Sequence, residues 1–313
     1  MLAAMTEVSI SPPGAADLRS RLAAALLILL LALAWGCNWP AMKLALRDID
    51  VWLFRCGTAL GGGVIFLAAL KLRGLSLGVP RQQWPALMFV AFFNITVFPL
   101  SSTMALLYLP AGWTAIIAYT MPVWASILGL LVLDERLTGR RVLALVMGLA
   151  GLIVLMAPDL SLTGPSRDLM LGFAIILIGA MLWAVGVVGQ KRVRWSRPTS
   201  VIAAWQVMLG GLPYHAVAPW ASDWSGLAAA GTDALLAWLY SVLIGLALGT
   251  YLFYRVVARF PVATAGIASL SVPVVGVLSS ALLLGETLGI RELGALVLVV
   301  SAVGLVLLEP AGR

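Results

Sequence analysis

Charge is what this chain has least of: 11% of its 313 residues are Asp, Glu, Lys or Arg, against 62% hydrophobic residues. Soluble domains run at roughly 25% charged and 45–50% apolar, so a water-facing globular fold is excluded. Histidine occurs once and cysteine twice, which leaves no Cys/His metal cluster and no credibly placed Ser-His-Asp set. Cys37 and Cys56 fall within apolar segments and read as small fillers, not as a disulfide framework. None of the 13 Asp and Glu sits in the middle of an apolar run. The buried carboxylate that proton-driven carriers use is therefore missing.

What remains is long apolar sequence. Stretches such as 142–157, 169–189 and 262–285 hold no charge at all, and about 20 such residues in a helix cross a bilayer core of about 30 Å with every backbone amide paired. The chain reads as an all-α membrane protein with ten transmembrane helices, near 22–43, 51–71, 86–107, 111–133, 141–157, 169–190, 199–219, 233–255, 262–284 and 290–308. The connections are too short for a soluble domain, so function is expected inside the bundle. Residues 1–21 read as a disordered N-terminal tail. Arg19, Arg21 and the run ending at Gly36-Cys37 have the outline of a lipoprotein signal, but Trp35 is bulky for a processing site and the span continues past the cysteine.

The basic residues orient the spans. Of the 20 Lys and Arg, four (Lys43, Arg47, Arg167 and Arg291) fall on one side and Arg55 lies within a span; the other fifteen fall on the opposite side. By the positive-inside tendency that side is cytoplasmic, with both termini, in a bacterial inner (plasma) membrane. The net charge of +7 follows from this asymmetry and is no argument for nucleic acid.

The two halves of the chain align. At a shift of 151, "LPAGWTAIIAYTMPVWASILGLLVLDERLTGRR" (109–141) meets "FPVATAGIASLSVPVVGVLSSALLLGETLGIRE" (260–292), placing Pro110 on Pro261, Pro122 on Pro273 and Glu135 on Glu286. At a shift of 148, Trp35 meets Trp183 and Lys43 meets Lys191. The chain reads as two five-helix repeats, 22–157 and 169–308. Because five is odd, the second copy is expected to be inverted relative to the first, an arrangement that lets two halves exchange conformations around a site between them.

These residues carry a family resemblance. Trp35-Gly36 with Lys43, Pro122 with Glu135-Arg136-Leu137, and Pro273 with Glu286-Thr287-Leu288 resemble the repeated motifs of EamA-type members of the drug/metabolite transporter superfamily. The resemblance covers about 22–308 and implies a ten-helix secondary transporter, with the aromatic amino acid exporters as the most similar branch.

Candidate residues follow from helical faces. Trp35, Asn38, Trp39 and Met42 stand at i, i+3, i+4 and i+7. An unsatisfied amide facing lipid costs about 1–3 kcal/mol or more, so Asn38 is expected to face a partner helix or water; an interhelical hydrogen bond and a ligand contact both satisfy it. Trp35 and Trp39 read either as cavity lining or as interfacial belt. The second copy carries Trp183, Gly186, Val187 and Gln190, without the Asn or a proline. In the third span Asn94, Phe98, Ser101 and Ala105 share a face; in the eighth, Ile244, Ala247, Tyr251 and Tyr254 do. Tyr119 and Ser271 precede the matched Pro122 and Pro273. The substrate-binding candidates are thus Trp35, Asn38, Trp39, Asn94, Ser101, Tyr119, Trp183, Tyr251, Tyr254 and Ser271, since rings supply contact area and their polar ends one directed bond; tight helix packing remains the alternative use of the small residues. Pro40, Pro122 and Pro273 are candidate hinges, because a missing amide hydrogen bends a helix.

Four ionisable positions stay open. Arg55 either snorkels to the outer interface or meets a ligand carboxylate, His215 stands near the end of the seventh span, and Glu135 and Glu286 read as helix-end contacts ahead of gates. The expected function is a secondary transporter exporting small zwitterionic or neutral solutes, amino acids or related metabolites, without strict proton coupling. A drug or other metabolite efflux carrier is the alternative, and a non-transporting membrane enzyme or lipid-handling protein the competing class. No catalytic residue, metal, cofactor or nucleic acid is expected; the partners are a small-molecule substrate and the bilayer, and a monomer is the simplest assembly.

Overall fold

A computed structural model describes residues 15–132, 138–156, 166–259 and 262–307, with side chains described outside 15–24, 156, 254, 257–259, 262–269 and 306–307. Glu135 and the Tyr254 side chain, like most of the expected tail, lie outside the described residues. Among the described residues there is no strand. Helices α1 (Ala15–Gly36) and α2 (Asn38–Ala45) are followed by α3 (Val51–Leu72), α4 (Trp84–Ala91), α5 (Phe98–Leu106), α6 (Ala111–Ala118), α7 (Met121–Val132) and α8 (Gly139–Met156). The second half holds α9 (Arg167–Arg192), α10 (Thr199–Ala221), the short α11 (Trp224–Ala229), α12 (Thr232–Tyr240), α13 (Gly249–Arg259), α14 (Val262–Leu284) and α15 (Ile290–Leu307). The first helix thus starts at Ala15, inside the segment expected to be tail.

Seven stretches among the described residues are long and apolar enough to cross a bilayer: Ala25–Ala45, Val51–Leu72, Arg81–Leu106, Ala111–Val132, Arg167–Arg192, Thr199–Ala221 and Thr232–Phe253. Local chemistry sets their ends. Asp50 caps α3 by accepting from the Trp52 and Leu53 amides at 2.8 and 3.3 Å, and Ser166 caps α9. Gly74 and Gly285, at φ +78° and +68°, terminate α3 and α14 in the left-handed conformation that only glycine enters without strain.

Two spans change pitch at matched places. Residues Phe92–Val97 join α4 to α5, and Ser241–Leu248 join α12 to α13, each as a π-helical segment. A π turn holds one residue more than an α turn, so it rotates the face that follows. Two further spans are interrupted, at Cys37 between α1 and α2 and at Tyr119-Thr120 between α6 and α7. The interruption falls three residues before Pro40, which then occupies the first turn of α2, where a missing amide hydrogen removes no helical bond. Pro122 likewise sits in the first turn of α7, whereas Pro273 lies inside the continuous α14.

The halves interlock. Helix α1 packs on α14, α7 on α9, α3 on α10 and α8 on α15. Glycines permit the close approaches: a Cβ at Gly62 would stand 2.1 Å from Leu246, and one at Gly210 would stand 2.8 Å from the Ala91 carbonyl oxygen. The apolar core centres on α6, whose eight residues are all buried.

Candidate functional site

One cavity of about 740 Å³ runs through the middle of the bundle, lined from both halves. Trp35, Asn38, Trp39 and Met42 enter it from α1 and α2, Tyr119 from the break in the fourth span, and Trp183, Val187 and Gln190 from α9. Phe54, Arg55 and Thr58 come from α3, Asn94, Phe98, Pro99 and Ser102 from the third span, Gln206 from α10, and Ser241, Gly245, Leu246, Thr250 and Phe253 from the eighth. Eight of its lining residues are aromatic, with Trp35 against Phe253 at 5.3 Å and Phe98 against Trp183 at 6.4 Å between ring centroids. A volume in this range suits a small organic molecule.

The polar groups are mostly neutral. Asn94 donates from Nδ2 to Gln206 Oε1 at 3.1 Å, and Gln206 donates from Nε2 to Gln190 Oε1 at 3.2 Å. This amide cluster leaves Asn94 Oδ1 buried without a hydrogen bond, and Asn38 Oδ1 is in the same condition. The two orphans share an environment. A Cβ at Gly186 would stand 2.0 Å from Asn94 Oδ1, and one at Gly245 would stand 2.5 Å from Asn38 Oδ1. Under shifts of 148 and 151 Asn38 corresponds to Gly186 and Asn94 to Gly245, so the first half supplies both Asn, and each packs on the second-half glycine that matches the other. Each oxygen is thereby sealed against a glycine of the neighbouring helix, a buried acceptor without a donor at a cost of about 1–3 kcal/mol.

The ends of the cavity differ. At one end Lys43 donates from Nζ to the Leu109 carbonyl oxygen, and Glu286 accepts from the backbone amides of Ala111 and Gly112 at 2.6 and 2.9 Å. Beside them Glu292 receives Trp113 Nε1 at 3.3 Å and Arg291 Nε at 2.8 Å, and the Arg291 guanidinium lies 4.5 Å from the Trp113 ring centroid. Asp48 accepts the Gly231 amide at the same end. Toward the other end the lining extends to Lys191, Val193 and Trp195, at the start of a loop that joins 77–83 through Gln83 to the Arg194 carbonyl and Trp205 to the Leu77 carbonyl.

Six of the ten expected contact residues converge here: Trp35, Asn38, Trp39, Asn94, Tyr119 and Trp183. Ser101 does not, because the π turn at Phe92–Val97 rotates the following face by about one residue and brings Ser102 inward. Ser101 packs instead on α9, its Cβ 2.5 Å from where a Gly179 Cβ would stand. In the eighth span the π spacing selects Ser241, Gly245 and Thr250; Tyr251 faces away, 40% exposed, with its hydroxyl receiving Arg255 Nη1 at 2.8 Å. Ser271 is half-buried in α14 and does not line the cavity. His215 sits elsewhere, its Nδ1 2.6 Å from the Gly211 carbonyl oxygen. Glu286 is the helix-end contact expected of it.

Arg55 departs from the snorkelling alternative. It is 9% exposed and held on the cavity wall by Thr103 and Ser102. Sequence reading did not select Gln206, Thr58 or Ser102. The only signal for Gln206 was a polar residue inside an apolar run.

Similar proteins agree with this architecture. An uncharacterized transporter, YvbV, of Bacillus subtilis is 29% identical over 285 residues, covering 90% of each chain. A protein named as a probable amino-acid metabolite efflux pump of Escherichia coli is 25% identical over 87% of this chain and 91% of its own. The aromatic amino acid exporter YddG of Ancylobacter novellus is 27% identical over 67% of this chain and 76% of its own. A solved crystal structure superposes with a TM-score of 0.62 at 21% identity, covering 91% of this chain and 96% of that one, a likeness of fold. The sequence pattern of the EamA-like transporter family matches twice, over residues 22–157 and 170–308. With an all-helical, multi-pass bundle built around one central cavity, the chain belongs to the EamA-like transporter family, within the drug/metabolite transporter superfamily.

Proposed function

We propose that this transporter exports small organic solutes, aromatic or neutral amino acids and related metabolites foremost, across the bacterial inner membrane by alternating access. The observation that carries the reading is the central cavity, lined by eight aromatic residues and a cluster of neutral amides and by no Asp or Glu among the described residues. Polycations would want carboxylates there, and nucleotide sugars a strongly basic pocket. The names of the efflux pump and the aromatic amino acid exporter among its relatives point the same way.

The reading assigns ten spans in two inverted repeats with both termini cytoplasmic. Support comes from the double family match and from the reciprocal packing of α1 on α14 and α7 on α9. With the Lys191–Arg197 loop cytoplasmic, the cavity is open inward, the state in which an exporter loads. A single chain forms the whole cavity, so a monomer suffices. Reconstituted in liposomes, the protein should exchange labelled L-phenylalanine or another neutral amino acid in counterflow, and Asn38→Ala and Tyr119→Phe should slow that exchange. Absence of counterflow for every amino acid tried would overturn the cargo assignment.

A further inference from the structure

The wall of the cavity holds one deeply buried charge, Arg55. Arg55 Nε donates to Thr103 Oγ1 at 3.2 Å, and Nη2 donates to Ser102 Oγ at 2.9 Å and faces Met42 Sδ at 3.5 Å. The Phe54 ring centroid lies 5.4 Å from its central carbon. All of these partners are neutral. Ser102 and Thr103 spend their own protons on the Pro99 carbonyl, at 2.8 and 3.0 Å, so both present lone pairs to the guanidinium. The holder fixes the fork's orientation but supplies no countercharge, and Nη1 makes no hydrogen bond among the described residues.

A guanidinium cannot shed its proton to escape this situation. Buried ions in proteins are paired, because an uncompensated one costs several kcal/mol. An intramembrane Arg facing a cavity is accordingly a functional group in want of an anion. No Asp or Glu lines this cavity among the described residues, and its other charged lining residue, Lys191, is also a cation.

We infer that Arg55 is the carboxylate-binding residue of the cavity, and that cargo must bring its own carboxylate to complete the pair. The inference rests on the proposed carrier function and narrows it: amino acids and organic acids qualify, whereas amides, esters and amines of the same shape do not. Planar carboxylates suit the free edge of a guanidinium in particular.

Purified protein is tested in two ways with L-phenylalanine, L-phenylalanine amide, 3-phenylpropionate and phenethylamine. The first is counterflow in liposomes; the second is the shift in melting temperature on adding each compound in detergent. The expected result is that both carboxylates compete and stabilise while the amide and amine do neither. Arg55→Gln should raise the half-saturating carboxylate concentration about 10–100-fold, and Arg55→Lys should recover part of it. Exchange or stabilisation by the amide equal to that by phenylalanine overturns the inference, as does unchanged carboxylate binding in a folded Arg55→Gln protein. Stabilisation by carboxylates without counterflow would instead defeat the carrier reading and leave the Arg55 assignment standing.

Discussion

Replacing Glu286 by Gln tests what keeps one end of the cavity shut. The carboxylate accepts the first two free amides of α6, Ala111 N at 2.6 Å and Gly112 N at 2.9 Å, across a loop that belongs to the other half of the chain. Those amides have no helical acceptor, so the contact is lost outright when the end opens. A helix-cap acceptor contributes about 1 kcal/mol, and an ionised one roughly twice as much, before its attraction to the helix dipole. Gln keeps the shape and one oxygen but loses the charge, so the closed end should weaken by about 2 kcal/mol, or about 30-fold in population. Spin labels at Tyr108→Cys and Leu288→Cys, both exposed at that end, read the opening as a distance distribution. Glu286→Gln should convert a minor long-distance population into a substantial one. A distribution that superposes on that of the parent would refute the latch and leave Glu286 a loop anchor.

Further outcomes follow from the same geometry. Gly245→Ala should lower the melting temperature and transport, since its Cβ would stand 2.5 Å from Asn38 Oδ1 and overpacking costs about 1–3 kcal/mol; adding Asn38→Ala should restore stability but not transport, and failure of that rescue would deny the pairing. Trp183→Ala should raise the half-saturation concentration for aromatic cargo more than for small cargo in counterflow, because the ring lines the cavity beside Phe98. Tyr251→Phe should leave uptake kinetics unchanged, its hydroxyl being engaged by Arg255 outside the cavity. Initial rates should persist when the pH gradient is collapsed, as no carboxylate lines the cavity among the described residues; strict dependence on that gradient would contradict this.

How much of the site could be read from sequence depends on how regular the helix is. The stripe Trp35, Asn38, Trp39 and Met42 was legible because helical spacing holds across the break at Cys37, and all four side chains reach the cavity. In the third span the same reasoning found Asn94 and Phe98 and then missed by one residue at Ser101, since no simple pattern announces a π turn. Tyr251 failed for a related reason, the second π segment at Ser241–Leu248. Arg55 was visible as a charge within a span, but its direction depends on Ser102 and Thr103, about fifty positions away, and no local pattern reports such a pairing. The reciprocal Asn–Gly crossings were beyond reach for a similar reason: each joins residues whose proximity is created by the packing of one half on the other.

The central claim is that one cavity is exposed to the two sides of the membrane in turn. It is tested most directly with a single thiol at Thr58→Cys, on the cavity wall, in a protein whose Cys37 and Cys56 are replaced by Ala. Membrane-impermeant maleimide should label it from the Lys191 side in the absence of substrate, and an imposed substrate gradient should add labelling from the Glu286 side. Labelling from one side under every condition, or from both sides at undiminished rates, would contradict alternating access.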